Sequence, residues 1–102
     1  MNPKAFLKEV VLYRQTGGQD AANAMDPNEL KEALGSKTPS KAAIKTWLLQ
    51  EATPDDLNIE DNLDPGETVT QAQKRELYDA WADGWSLYAS NWLKNRARDD
   101  ED

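Results

Sequence analysis

Neither cysteine nor histidine occurs among the 102 residues of this chain. Their absence excludes disulfides, thiol nucleophiles and the usual zinc donor sets, and it removes the side chain most often used as a general base. There is no apolar run long enough to span a bilayer, and no membrane partner is expected. Met1-Asn2-Pro3-Lys4 opens the chain without the apolar core of a signal peptide, which places the expected residence in the cytoplasm, or in a virion assembled there. Strand-like alternation and internal repeats are also missing. What is present is a polar, acidic composition: 38% apolar residues, 30% charged residues and a net charge of −7. The length fits one domain, and the aromatic content is too high for a typical disordered chain.

The five prolines punctuate this composition. Each follows a residue able to cap a helix: Asn2-Pro3, Asp26-Pro27, Thr38-Pro39, Thr53-Pro54 and Asp64-Pro65. A capping side chain accepts a hydrogen bond from an orphan amide of the first turn, and proline suits the next position because it has no amide hydrogen to satisfy. The pattern predicts an all-α fold, a small bundle of three shorter helices packed on one long C-terminal helix. The expected helices cover about 3–15, 27–34, 39–52 and 71–97, within a single domain over 1–98. In the first, Phe6, Leu7, Val10, Val11 and Arg14 have helical spacing, and Gly17-Gly18 is expected to end it, leaving 20–25 as a short turn or loop. Asp26 with Glu29, and Thr70 with Gln73, have the spacing of capping boxes. An acidic connection over 53–69 holds six acids and no base. The tail, 99–102, is entirely acidic and lies where a helix terminus prefers cations.

Charge is divided along the chain. Residues 1–45 hold seven bases and five acids, and residues 46–102 hold five bases and fourteen acids. On the last helix Tyr78, Trp81, Trp85, Tyr88 and Trp92 repeat at intervals of three and four, the spacing of a coiled-coil seam made of aromatics. Such a stripe is either the core of the domain or, in part, a partner-binding surface. Trp81, Trp85, Tyr88 and Trp92 are therefore the candidate partner-binding residues, with the far end around Tyr88 and Trp92 expected to be the less covered. Gly84, beside Trp85, lets another backbone approach closely.

Residues 29–48 carry Leu30, Ala33, Leu34 and Gly35, followed by Ile44 and Trp47. In this they resemble the helix-turn-helix of DNA-binding proteins, over about a fifth of the chain. The turn, Gly35 to Thr38, is about three residues longer than in the compact motif. The resemblance implies a recognition helix in the major groove, with Lys37, Lys41 and Lys45 on phosphates and Ser40 nearest the bases. The other reading of the same residues is two antiparallel helices with a solvated lysine face. Asp56, Asn58, Glu60, Asn62, Asp64 and Glu67 follow the ligand spacing of a calcium loop, but Asp61 stands where the sharp turn needs glycine and Pro65 interrupts the window. No metal or other cofactor is expected. The acids lie in polar company and Gly17-Gly18 lacks a strand-turn-helix context, so no catalytic residue is assigned and an enzyme is not expected.

Together these features predict a small acidic helical protein–protein interaction module. It would be a virion or phage assembly component, or an accessory or inhibitor factor of a mobile element. Its partner would be a larger assembly or a host protein with a basic surface, and a homo-oligomer is a further possibility. The alternative is a helix-turn-helix DNA-binding regulator using residues 29–48.

Overall fold

The computed structural model describes residues 2–51, 66 and 68–100. All regular structure among the described residues is helical, in four elements: α1 (Pro3–Ala24), α2 (Pro27–Leu34), α3 (Lys41–Glu51) and α4 (Gln71–Asp100). As expected, α1 and α3 pack on the long C-terminal helix. The molecule measures 54 × 21 × 20 Å, and its long dimension follows α4, since a helix of 30 residues extends about 45 Å.

Local chemistry starts these helices. The Asn2 side chain accepts from the Lys4 amide at 2.9 Å, and Asp26 accepts from the amides of Asn28 at 3.0 Å and Glu29 at 3.2 Å. Thr70 and Gln73 form both halves of a capping box: the Gln73 amide donates to Thr70 Oγ1 at 3.0 Å, and the Thr70 amide donates to Gln73 Oε1 at 2.9 Å. Gly35 ends α2 in the left-handed region, with φ of 64°, which glycine adopts without a Cβ penalty.

Three boundaries differ from expectation. Gly17-Gly18 does not stop α1, which continues through residues 20–24 to Ala24. Each helical glycine costs about 1 kcal/mol relative to alanine, but contact with α4 depends on the lack of a side chain at Gly17 and outweighs that cost. The third helix begins at Lys41 instead of 39, because Ser40 is the cap; its Oγ accepts from the Ala43 amide at 3.1 Å. Thr38 instead donates its amide to Ser36 Oγ at 3.2 Å, so Thr38-Pro39 belongs to the turn. Finally, α4 extends past 97 to Asp100. The cap positions Thr53 and Asp64, and nearly all of the acidic connection, lie outside the described residues.

Two apolar clusters hold the bundle. The larger joins Ala21 of α1, Leu30 of α2, Ile44 and Leu48 of α3, and Trp81, Trp85 and Leu93 among the α4 residues. The smaller is centred on Leu77 and Tyr78, against which Phe6, Val10 and Tyr13 pack. Phe6 and Val10 thus meet the start of α4, Gly17 meets Trp81 and Trp85 further along, and α1 runs parallel to α4. At their crossing both helices present glycine. A Cβ on Gly17 would collide with the Trp81 carbonyl, and a Cβ on Gly84 with the Arg14 carbonyl. The close approach anticipated at Gly84 is therefore made by the chain's own α1.

Candidate functional site

The aromatic seam divides along its length. Tyr78, Trp81 and Trp85 are buried. The Trp81 indole donates from Nε1 to Asp20 Oδ2 at 2.9 Å, tying α1 to α4. Trp85 tilts against Trp47 of α3 with ring centroids 6.3 Å apart. Beyond Trp85 the cover thins: Trp92 is half-buried against the larger cluster, and Tyr88 is 38% exposed. Among the four candidate partner-binding residues, Trp81 and Trp85 are thus core side chains and only Tyr88 is exposed.

Two of the three lysines of the helix-turn-helix reading, Lys41 and Lys45, are paired with acids of α4. Lys41 Nζ lies 2.6 Å from Asp83 Oδ1, and Lys45 Nζ lies 3.0 Å from Asp79 Oδ1 and 3.7 Å from Asp83 Oδ1. Arg14 Nε of α1 approaches the other Asp83 oxygen at 3.3 Å. One carboxylate therefore links three helices. Lys37 and Ser40 are both exposed, and the Ser40 hydroxyl is engaged as the α3 cap. Of the apolar residues matched to the motif, Leu30 and Ile44 are buried and Trp47 is half-buried, and a shallow groove of about 470 Å³ between α2 and α3 is lined by Ala33, Leu34, Ala43 and Trp47 among others.

The hydrogen bond from Lys41 is the main influence on Asp83. With the charges of Lys41, Lys45 and Arg14, and against the opposing effect of partial burial, it holds the carboxyl below the ordinary aspartate range. A folded pKa below the unfolded value means that Asp83 stabilises the fold above the unfolded aspartate pKa of about 3.9. That contribution is lost as pH falls through the lower folded value. Asp83→Asn should therefore cost about 1 kcal/mol near neutral pH, less at high salt. The difference between variant and wild type should shrink toward zero in acid, as measured by urea unfolding across a pH series.

The outward side of α1 is a feature that sequence reasoning missed. Leu7 is 65% exposed, Val11 50% and Leu12 52%. Leu7 and Val11 share helical spacing with Phe6 and Val10, but α4 is met by Phe6, Val10 and Tyr13. The pairs 6–7 and 10–11, followed by 12–13, supply more apolar residues than one helix stripe can bury, and that excess was the available signal. No fully exposed residue of α1 is acidic: Glu9 and Asp20 are both half-buried, whereas Lys4 and Lys8 are exposed.

The net negative charge also has a definite location. Ten of the nineteen acids fall in 53–69 and 99–102, so the remaining nine acids are outnumbered by twelve bases. The helical framework carries no acidic excess of its own. The candidate calcium ligands Asp56 to Glu67 lie outside the described residues, and among the described residues no cluster of potential metal ligands occurs. No helix among them is long and apolar enough to cross a membrane. No family model, curated protein or solved structure matches the chain.

Proposed function

We propose that this chain is a small helical protein–protein interaction module whose docking surface is the outward face of α1. The observation that carries the reading is the exposure of Leu7, Val11 and Leu12. The core is already filled by Phe6, Val10 and Tyr13 from the other side of the same helix. Scattered exposed apolar residues are ordinary on any surface, and Leu49 and Leu87 fit that description. Leu7 and Val11, one turn apart on the same side of α1, form a small patch of the kind that marks association sites, with Leu12 further round the helix. A role as a virion or assembly component, or as an accessory or inhibitor factor, is consistent with such a module. The acids that favour a basic partner surface belong to the connection and tail, so this protein is read as having two separate means of recognition.

The DNA-binding reading of residues 29–48 draws support from the left-handed Gly35 and the Ser40 cap. Counting against it is the commitment of Lys41 and Lys45 to α4 acids, since affinity for duplex depends chiefly on lysine and arginine free to neutralise phosphates.

The test compares wild type with Leu7→Glu/Val11→Glu, both confirmed as folded, in quantitative capture from the source cells. A protein retained by wild type and lost by the variant supports the module; equal recovery by both contradicts it. Titration with mixed-sequence duplex across a salt series, with Lys41→Glu/Lys45→Glu as control, is expected to give no affinity dependent on those lysines. Affinity that falls steeply with salt and vanishes in that variant would favour the DNA reading.

A further inference from the structure

We infer that the occupant of the outward face of α1 is an acidic amphipathic helix of a protein partner, an inference that rests on the interaction reading above. Lys4 and Lys8 are one turn apart, as are Leu7 and Val11, so two charges and two aliphatic anchors alternate along one side of α1. Both lysines are exposed, and among the described residues neither lies within ion-pair distance of an acid. Gln15 and Gln19 continue the same side as neutral, exposed residues. From Lys4 to Gln19 this surface runs about 22 Å at the helical rise per residue. Helix recognition is read through anchors about one turn apart, the spacing of Leu7 and Val11 near the N-terminal end of this surface.

Charge complementarity selects the partner. A helix with apolar residues on one face and carboxylates along its edge places acids beside Lys4 and Lys8 while covering Leu7 and Val11. A partner with basic edges would meet like charge at Lys4 and Lys8 themselves, which disfavours docking on this face. A second copy of this chain fits less well, because antiparallel pairing of α1 on α1 sets Lys4 and Lys8 opposite the neutral Gln19 and Gln15 and gives neither lysine an acid. An anionic membrane is also a poorer occupant, because the patch has only two lysines while polybasic membrane anchors use clusters of about four to eight.

The decisive experiment uses the full chain and three probes: a labelled leucine/glutamate amphipathic helix, its leucine/lysine counterpart, and phosphatidylglycerol vesicles. Anisotropy is expected to show the glutamate helix binding at least about tenfold more tightly than the lysine helix, with affinity falling as salt rises. Leu7→Glu/Val11→Glu should abolish that binding. Lys4→Glu/Lys8→Glu should weaken it several-fold and flatten its salt dependence, with circular dichroism and melting temperature unchanged because all four side chains point outward. Equal binding of the two helices, binding indifferent to these variants, or no binding overturns the proposal. Preferential vesicle binding, or sedimentation showing self-association removed by Leu7→Glu/Val11→Glu, would assign the face to a lipid surface or a second copy instead. If capture of a source-cell protein still depends on Leu7 and Val11 while the glutamate helix fails, the partner chemistry is wrong and the interaction reading survives.

Discussion

Gly84→Ala is expected to lower the melting temperature by about 10 °C or more, although alanine is the better helix former. Intrinsic propensity favours the substitution by about 1 kcal/mol. Against that stands the Arg14 carbonyl, into which the new methyl group would run. A backbone atom has no rotamer through which to retreat, so α1 must move away from α4 and the contacts among Phe6, Val10, Leu77 and Tyr78 must loosen with it. Overpacking of this kind costs about 1–3 kcal/mol, and a rigid neighbour puts this site at or above the top of that range. A net loss of about 2 kcal/mol translates to about 8–16 °C for a domain this small. Gly17→Ala meets the Trp81 carbonyl and should behave in the same way. Gly18 supplies the contrast: a Cβ there would lie 3.7 Å from the Gly84 carbonyl oxygen, an ordinary contact. Gly18→Ala should therefore keep the propensity gain and stabilise the protein by about 0.5–1 kcal/mol. Thermal melts of the three variants check the crossing directly; equal behaviour of Gly18→Ala and Gly84→Ala would mean that the helices do not cross as described.

Trp85→Ala should have the larger effect, a loss of about 3–5 kcal/mol. The Trp85 side chain is 7% exposed and contacts Trp47, and it belongs to the cluster that all four helices share. Since a domain of this length is stable by only about 5–15 kcal/mol, the variant should be largely unfolded under mild denaturant. Tyr88→Ala, from the same stripe and only three residues along, should cost less than about 1 kcal/mol because the ring is already in part solvated. Urea unfolding of the pair separates the two ends of the seam. Comparable losses would show that Tyr88 is as deeply packed as Trp85.

Much of this architecture is legible in the sequence because it is written locally. The Thr70–Gln73 box, the Asp26 cap and Gly35 act within four residues of themselves, and each appears as its chemistry requires. The seam's period marks α4 as the helix the others must cover. What could not be read depends on pairs distant in the chain. Gly17-Gly18 has the look of a helix stop until Gly84 and Trp81 are brought against it. Lys41 and Lys45 present an ordinary basic face until Asp79 and Asp83 arrive from another helix. The same holds for Leu7 and Val11, since nothing local says which of two adjacent apolar stripes α4 will take. Charge was misleading in a different way: halving the chain made its C-terminal part acidic as a block, whereas α4 up to Arg98 carries five bases and three acids.

α1 closes the aromatic seam with one face and, on the function proposed above, docks a partner with the opposite face. Hydrogen exchange at the four tryptophan indole groups, followed by NMR, tests this most directly. The Trp81 indole, bonded to Asp20 beneath α1, and that of buried Trp85 should exchange only through unfolding, with rates that rise in Gly84→Ala in proportion to its lost stability. The half-buried Trp92 should exchange much faster. Rapid exchange at Trp81 and Trp85 in the native protein would mean that α1 does not cover the seam, and the assignment of its outward face as the binding surface would fall with it.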